Sequence, residues 1–324
     1  MHMKFLMIIK KLKHNIEDFL FNILIFFKFK IPTTKIEALS TDILYKVKIP
    51  TYDGSGQAVH PSVLINIIEK KYILAFTPYR NTNDKYENPS IVISSDGINF
   101  YEEQKGINPL VPAPVTDHND DPEIFYNGLQ YYLLYLETLR PEKQNLCILK
   151  SSNRINWEKT ILFTQDLKIN RKEFMVSPSI TIKNKDYYLF YVNIYDSPYK
   201  IKYVTGSSIE TLNFSDKKDI ALNTCMIPWH ISITKNNNDN YYMLITFVDI
   251  KQNPRIYTLY VAKSTDLINW DIAKNPILTD CYRSSGFIKD NIFYIYSSKI
   301  IHNNKWKIGL IKKDLRSLDF SNNT

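Results

Sequence analysis

Five near-copies of one short phrase govern what this chain can fold into. They read SSDGINF (94–100), SSNRINW (151–157), SSIETLNF (207–214), STDLINW (264–270) and LRSLDF (315–320). Anchored on the polar residue before each aromatic, namely Asn99, Asn156, Asn213, Asn269 and Asp319, the copies lie 57, 57, 56 and 50 residues apart. A period of that length marks repeated supersecondary units, and five in phase point to five equivalent propeller blades.

More than the tag repeats. Each period opens on a short motif leading into an apolar strand: HPSVLI from His60, DPEIFY from Asp121, SPSITI from Ser177, WHISIT from Trp229 and RSSGFI from Arg283. A polar turn and a Tyr-rich run follow, such as YYLLYLE from Tyr131, and then a third β-branched run, such as TLYVAKS from Thr258. Runs of five to seven such residues bounded by Asn, Asp, Gly and Lys are antiparallel strands joined by turns. The expected fold is therefore all-β: a five-bladed β-propeller over residues 36–324, with a fourth strand drawn from segments such as PLVPAP (109–114) and PILTD (276–280). In each tag, Ser and Asp oxygens are expected to hold a turn while Ile268 and Trp270, in the fourth copy, enter the seam between sheets. The tag resembles the Asp-box turn of sialidases and is read as structural.

Residues 1–35 differ in kind. Their longest apolar run, Phe19 to Phe27, is interrupted by Asn22 and flanked by Lys10, Lys11, Lys13, Lys28 and Lys30. That is too short to span a bilayer, and Glu17 and Asp18 fall where a signal peptide needs its apolar core. The segment reads as a short basic amphipathic helix, on a membrane interface or against the propeller, ended by Pro32. With 41 basic and 33 acidic residues the chain carries a formal charge of +8, but no nucleic-acid motif accompanies it, so nucleic acid is not an expected partner. Cys147, Cys225 and Cys281 are odd in number and far apart, which gives no disulfide framework and fits a reducing compartment. The expected location is cytoplasmic, peripheral to the inner face of an anionic membrane.

In a propeller the residue before each innermost strand faces the shared channel. Those positions hold His60, Asp121, Ser177, Trp229 and Arg283. Different side chains at equivalent points of a repeated scaffold are the mark of a grafted site. Asp120 and Asp121 form a carboxylate pair able to raise one pKa. Arg283, in the small and apolar CYRSSG with Tyr282, needs carboxylates or an anionic ligand. Trp229 and His230 read as a sugar platform with a nearby imidazole, and the loop TPYRNTNDKYENPS (77–90) brings Tyr86 and Glu87 to the funnel as a substrate wall. No HExxH, P-loop, GxGxxG or GxSxG pattern is present.

This layout resembles the five-bladed propeller glycosidases, the arabinanase and β-xylosidase group of family 43 glycoside hydrolases and its relatives acting on fructofuranosides, over roughly residues 50–320. DDPEIF puts Asp121 at the second-blade Asp of that group, which there tunes the acid and orients the sugar. Two positions depart. The first-blade Asp that serves as general base is His60, and the third-blade Glu that serves as general acid falls on Val176 or Ser177. Glu173 or Glu137 stands as a substitute acid. The resemblance also admits a divalent metal such as calcium in the channel, though the ligands of any metal are unknown and no cofactor is certain.

The expected function is action on a glycosidic bond of a cell-surface polysaccharide. Without a matching acid, transfer from an activated sugar donor to a glycan acceptor is favoured, because a nucleotide or phosphate leaving group needs only a base and cations. Asp121 or His60 would be that base, with Glu173 in reserve, and Arg283 and His230 the cations. Glycoside hydrolysis is the alternative, and a non-catalytic glycan-binding propeller a further one.

Overall fold

The β-branched and aromatic runs form antiparallel strands because each alternates residues between two buried faces, and Asn, Asp, Gly and Lys close the turns between them. The computed structural model describes residues 45–169, 172–301 and 305–320. The expected N-terminal helix lies outside the described residues.

After β1 (Tyr45–Lys46) come five meanders. The first blade holds β2 (Ala58–Asn66), β3 (Lys71–Pro78) and β4 (Ser90–Ser94), and the second β5 (His118–Tyr126), β6 (Tyr131–Leu139), β7 (Lys143–Ser151) and β8 (Glu158–Asp166). The third holds β9 (Met175–Lys183), β10 (Asp186–Asn193), β11 (Lys200–Gly206) and β12 (Lys218–Asp219). The fourth holds β13 (Ile227–Lys235), β14 (Tyr241–Asp249), β15 (Ile256–Ser264), β16 (Asp271–Ile272) and β17 (Leu278–Thr279). The fifth holds β18 (Ser284–Lys289), β19 (Ile292–Ile301) and β20 (Lys305–Asp314), with β1 added antiparallel on β20.

Each innermost strand adjoins the next: β2 with β5, β5 with β9, β9 with β13, β13 with β18, and β18 with β2 again. The ring is thus closed by contact, and an outer strand from the N-terminal side of the chain completes the last blade. A full-length fourth strand follows the tag in the second blade, as β8, but the other blades have less than the sequence suggests. PLVPAP forms no strand, and PILTD contributes only β17.

The tags explain the seams. In the first, second and fourth copies the Ser hydroxyl (Ser94, Ser151, Ser264) accepts the N–H of Gly97, Arg154 or Leu267 at 2.9 Å. Asp96 Oδ1 accepts from Ile98 and Asn99, and Asp266 Oδ1 from Ile268 and Asn269, all at 2.8 Å. The turn presents its aromatic to a different inter-blade cluster each time: Phe100, Trp157, Phe214, Trp270 and Phe320 enter five separate seams. One detail differs from expectation. Ile268 is 38% exposed, and it is Leu267, in the left-handed region at φ 73°, that enters the seam beside Trp270.

Candidate functional site

The first three blades begin their inner strands with the same distortion. His60, Asp121 and Ser177, each followed by Pro, have φ of 52°, 50° and 58°, and the strand register slips at each. A non-Gly residue at positive φ costs about 1–3 kcal/mol and persists only where its surroundings impose it. Pro removes a ladder donor, so the extra residue is tolerated as a bulge, and a bulge re-aims the side chain. The fourth blade slips between Pro228 and His230, which brings His230 to the axis and leaves Trp229 behind it.

Asp121 is the hub. Its Oδ1 accepts from Arg283 Nη1 at 2.6 Å, and its Oδ2 accepts the Ser177 N–H at 2.6 Å. His60 Nε2 and His230 Nδ1 approach Oδ1 to 3.6 and 3.9 Å, too far for hydrogen bonds. Behind His60, its Nδ1 lies 3.1 Å from Glu87 Oε2 and 3.1 Å from Thr77 Oγ1, while Thr77 donates to the same Glu87 oxygen at 3.3 Å. Below the hub, Glu123 accepts from Ser62 and Ser179 at 2.8 and 2.9 Å, with Arg283 Nη2 at 3.7 Å. All of these side chains are buried.

Burial sets the charges. It would raise Asp121, but Arg283, His60, His230 and the Ser177 N–H outweigh it and hold the carboxyl well below its usual range. Its neighbour Asp120 goes the other way: burial pushes it up to about 6 against the pull of His118. The expected splitting of this carboxylate pair is present. Burial would lower His60, yet Asp121 and Glu87 raise it; burial takes His230 well below its usual value. Burial also raises Glu123.

The structure therefore brings together His60, Asp121, Arg283, His230 and Glu87. Tyr282 packs its ring on both imidazoles, at centroid distances of 5.5 and 4.7 Å. Asp120, next in the chain to Asp121, turns to a different partner: its Oδ2 lies 3.1 Å from His118 Nε2, whose Nδ1 lies 2.7 Å from Asp117 Oδ1. Tyr86 sits at the rim, its carbonyl accepting from Tyr52. Other residues take different places. Arg283 has no exposed surface; its Nη1 donates to Asp121 and its Nη2 to the Pro122 carbonyl, with Nε left without a hydrogen-bond partner, so its two terminal nitrogens position Asp121. Trp229 is buried against Tyr199, Tyr257 and Tyr282, so it offers no open stacking face. The Ser177 hydroxyl is engaged by the Ile231 backbone. Glu173 is held by Tyr191 and Lys217, and Glu137 by Lys159 and Asn145, so neither joins the cluster.

Two residues of this centre escape a reading of blade entries: Thr77 and Glu123. The register slip between Asp120 and Glu123 breaks the strand alternation that would otherwise have tied Glu123 to a neighbour's face.

The orphaned atoms are informative. His60 Nε2 and both His230 nitrogens are buried without hydrogen-bond partners, a costly state unless a ligand completes them. His60, Asp121 and His230 each offer a ligand atom within 4.8 Å of the others. Two imidazoles and a carboxylate suit a transition-metal cation and not the all-oxygen shell of calcium. The Glu87 contact to His60 Nδ1 is the outer-shell carboxylate that fixes a ligating imidazole. The residues present fit a divalent metal.

The sequence matches the glycosyl hydrolases family 32 N-terminal domain over residues 51–224. A stretch of 82 residues is 37% identical to the A type blood N-acetyl-α-D-galactosamine deacetylase of Flavonifractor plautii, covering 23% of this chain and 10% of that protein. The chain thus spans about a tenth of that relative's length. Among solved structures, an N-acetylgalactosamine deacetylase from F. plautii, crystallised with blood group B trisaccharide, superimposes with a TM-score of 0.71 at 17% identity, covering 84% of this chain and 94% of that one. A thermostable family-43 glycoside hydrolase gives 0.61 at 13% identity, covering 83% and 94%. At these identities the superpositions establish the shared fold, a glycoside-hydrolase-like propeller.

Proposed function

The chain belongs to the family of glycosyl hydrolases family 32 N-terminal domains, and from that premise we propose that it is a glycan hydrolase that removes the acetyl group of an N-acetylated amino sugar, using a divalent metal held by His60, Asp121 and His230. The observation that carries the reading is the convergence of two orphaned, buried imidazoles on one carboxylate, with Glu87 fixing the nearer imidazole. Deacetylase names among the similar proteins support it.

A divalent cation at this point supplies Lewis acidity toward the amide carbonyl and toward water. The chain's own side chains prepare the place for it. Glu87 accepts a hydrogen bond from His60 Nδ1–H, the tautomer that leaves the Nε2 lone pair facing Asp121. Arg283 and the Ser177 N–H keep Asp121 ionised and oriented, leaving lone pairs on both oxygens. Tyr282 and Trp229 wall the imidazoles off from bulk water, which strengthens every charge interaction inside.

Glycoside hydrolysis is the second reading, and family membership favours it. It requires two carboxyls flanking the scissile bond. Asp121, Glu87 and Glu123 are the buried carboxyls that this centre offers for it, since the third-blade position is occupied by Ser177. Glycosyl transfer, toward which the sequence leans, has no counterpart among the similar proteins named above, all of which are hydrolases.

The two readings part at the product. The purified protein is incubated with aryl N-acetylhexosaminides, N-acetylated oligosaccharides and aryl furanosides, and acetate and reducing sugar are measured side by side. Acetate release with the glycosidic bond intact, lost on chelation and restored by a transition-metal cation, is the expected result. Release of reducing sugar, unaffected by chelation and without acetate, would replace the proposal with glycoside hydrolysis.

A further inference from the structure

Six arginines stand among the described residues, and four of them are spent on carboxylates. Arg140 binds Asp117, Arg154 binds Glu69 and Glu103, Arg283 binds Asp121, and Arg316 binds Asp314. Arg80 and Arg255 meet no carboxylate among the described residues. Each lies over an aromatic ring instead, Arg80 at 5.8 Å from the centroid of Tyr86 and Arg255 at 5.7 Å from that of Trp229.

Both belong to the face that holds the site. Inner strands start at the site and run away from it, so each second strand returns to it: Ala58 pairs with Pro78, and Ile227 with Val248. Arg80 follows Pro78 by two residues, and Arg255 lies in the β14–β15 connection, just before Ile256, which pairs with Asp249. The Arg80 loop is held in a strained form. Asn81 and Thr82 have φ of 52° and 60°; Gln57 grips Asn81 at its backbone N–H and its side chain, and Thr82 accepts from Trp306 Nε1. Strain imposed in this way by neighbours is a feature of ligand clamps.

Arg255 stands beside the metal centre. The Trp229 ring that it covers is 5.5 Å from that of His230 and 6.4 Å from that of Tyr282. Trp229 Nε1 is buried without a hydrogen-bond partner, a donor that a ligand acceptor would satisfy. Arg255 also binds the Tyr257 hydroxyl, but a guanidinium carries five N–H donors, and stacking on a ring leaves its fork available to a carboxylate or phosphate. The acidic groups of the surrounding loops are engaged elsewhere. Asp84 lies 3.8 Å from Arg140, Asp249 Oδ1 accepts the Lys251 N–H, Asp53 Oδ1 accepts the Ser55 N–H, and Asp280 faces Lys299.

We propose that Arg255, with the Trp229 indole N–H, binds an anionic group on the sugar next to the one whose acetyl group is removed, and that Arg80 in the first-blade loop strengthens the same preference. The substrate class is then a glycan in which N-acetylated amino sugars stand beside residues bearing carboxylate or phosphate. The identity of the removed group rests on the deacetylase reading; the charge preference rests on the two arginines.

The test is calorimetric binding, with acetate release measured in parallel, for three probes: a neutral N-acetylglucosamine oligomer, an oligomer of N-acetylglucosamine and glucuronate, and an N-acetylglucosamine oligomer joined by phosphodiesters. The parent should bind at least one anionic probe about tenfold more tightly than the neutral one, the scale of one charge-assisted hydrogen bond, with the difference shrinking in salt. Which anionic probe leads distinguishes carboxylate from phosphate. Arg255→Ala should lower the ratio of anionic to neutral affinity about tenfold, Arg255→Lys should restore part of it, and Arg80→Ala should lower it less, each with the circular dichroism spectrum of the parent. Equal affinity of the parent for neutral and anionic probes would overturn the inference, as would a ratio unchanged in the Arg80→Ala, Arg255→Ala double variant. Charge preference without acetate from any probe would uphold the subsite and remove the deacetylase reading.

Discussion

At the scale of single residues, Asp121 couples stability to chemistry. It compensates Arg283, which has no exposed surface, and removing one partner of a buried ion pair typically costs 3–5 kcal/mol. Asp121→Ala should therefore lose activity at least a hundredfold and also about 3 kcal/mol of stability in urea denaturation. The double variant Asp121→Leu with Arg283→Met should regain most of that stability and none of the activity. Equal instability of the single and double variants would remove Arg283 from its positioning role. Glu87→Gln tests the Nδ1 contact of His60: metal affinity should fall about 10–100-fold, as when other carboxylates that hold a ligating imidazole are removed, with the fold intact. His60, Asp121, His230, Arg283 and Glu87 were legible from blade-entry positions and one polar loop. Thr77 and Glu123 were not, because they reach the centre through partners on other strands that one sequence does not reveal.

Elements show where periodicity is a sufficient guide and where it fails. Each three-strand core of a blade is legible, since apolar alternation bounded by turn residues has few other solutions. The fourth strands were legible only in part: β8, directly after Trp157, is nine residues long as the segment after the tag suggests, but β12, β16 and β17 are two residues long, too short to leave a pattern, and blade five takes its outer strand from the opposite end of the chain. The tag illustrates a subtler miss. Ser264 holds the N–H of Leu267, the turn then needs a left-handed residue there, and that twist buries Leu267 and turns Ile268 outward. Trp270→Ala should accordingly cost about 3–5 kcal/mol in thermal or urea unfolding, whereas Ile268→Ala should stay within about 0.5 kcal/mol of the parent. Similar losses at the two positions would contradict this seam. The inner strand of the fifth blade offers a second check. A Cβ on Gly286 would meet the Tyr294 carbonyl at 2.4 Å, so Gly286→Ala should destabilise by about 1–3 kcal/mol.

For the whole molecule, the repeat decides the architecture and the exceptions to it decide the chemistry. Five equal modules close a ring, and ring closure alone makes residues such as Asp121 and Arg283, 162 positions apart, neighbours on one axis. That convergence follows from the spacing of the tags. The direction of the reaction does not, because it turns on side chains that differ between equivalent blades: an imidazole where a carboxylate would serve as base, and a serine where a carboxyl would serve as acid. Read linearly, the absent acid favoured an activated donor. In three dimensions His230 joins His60 and Asp121, and a metal centre accounts for the same absence. Titration of zinc or manganese into chelator-treated protein, followed calorimetrically for the parent and for His230→Ala, tests this centre most directly. One ion bound per chain by the parent, and at least a hundredfold weaker binding by the variant with its fold retained, is the expected result; parent protein that binds no ion, or a variant that binds as tightly as the parent, would contradict it.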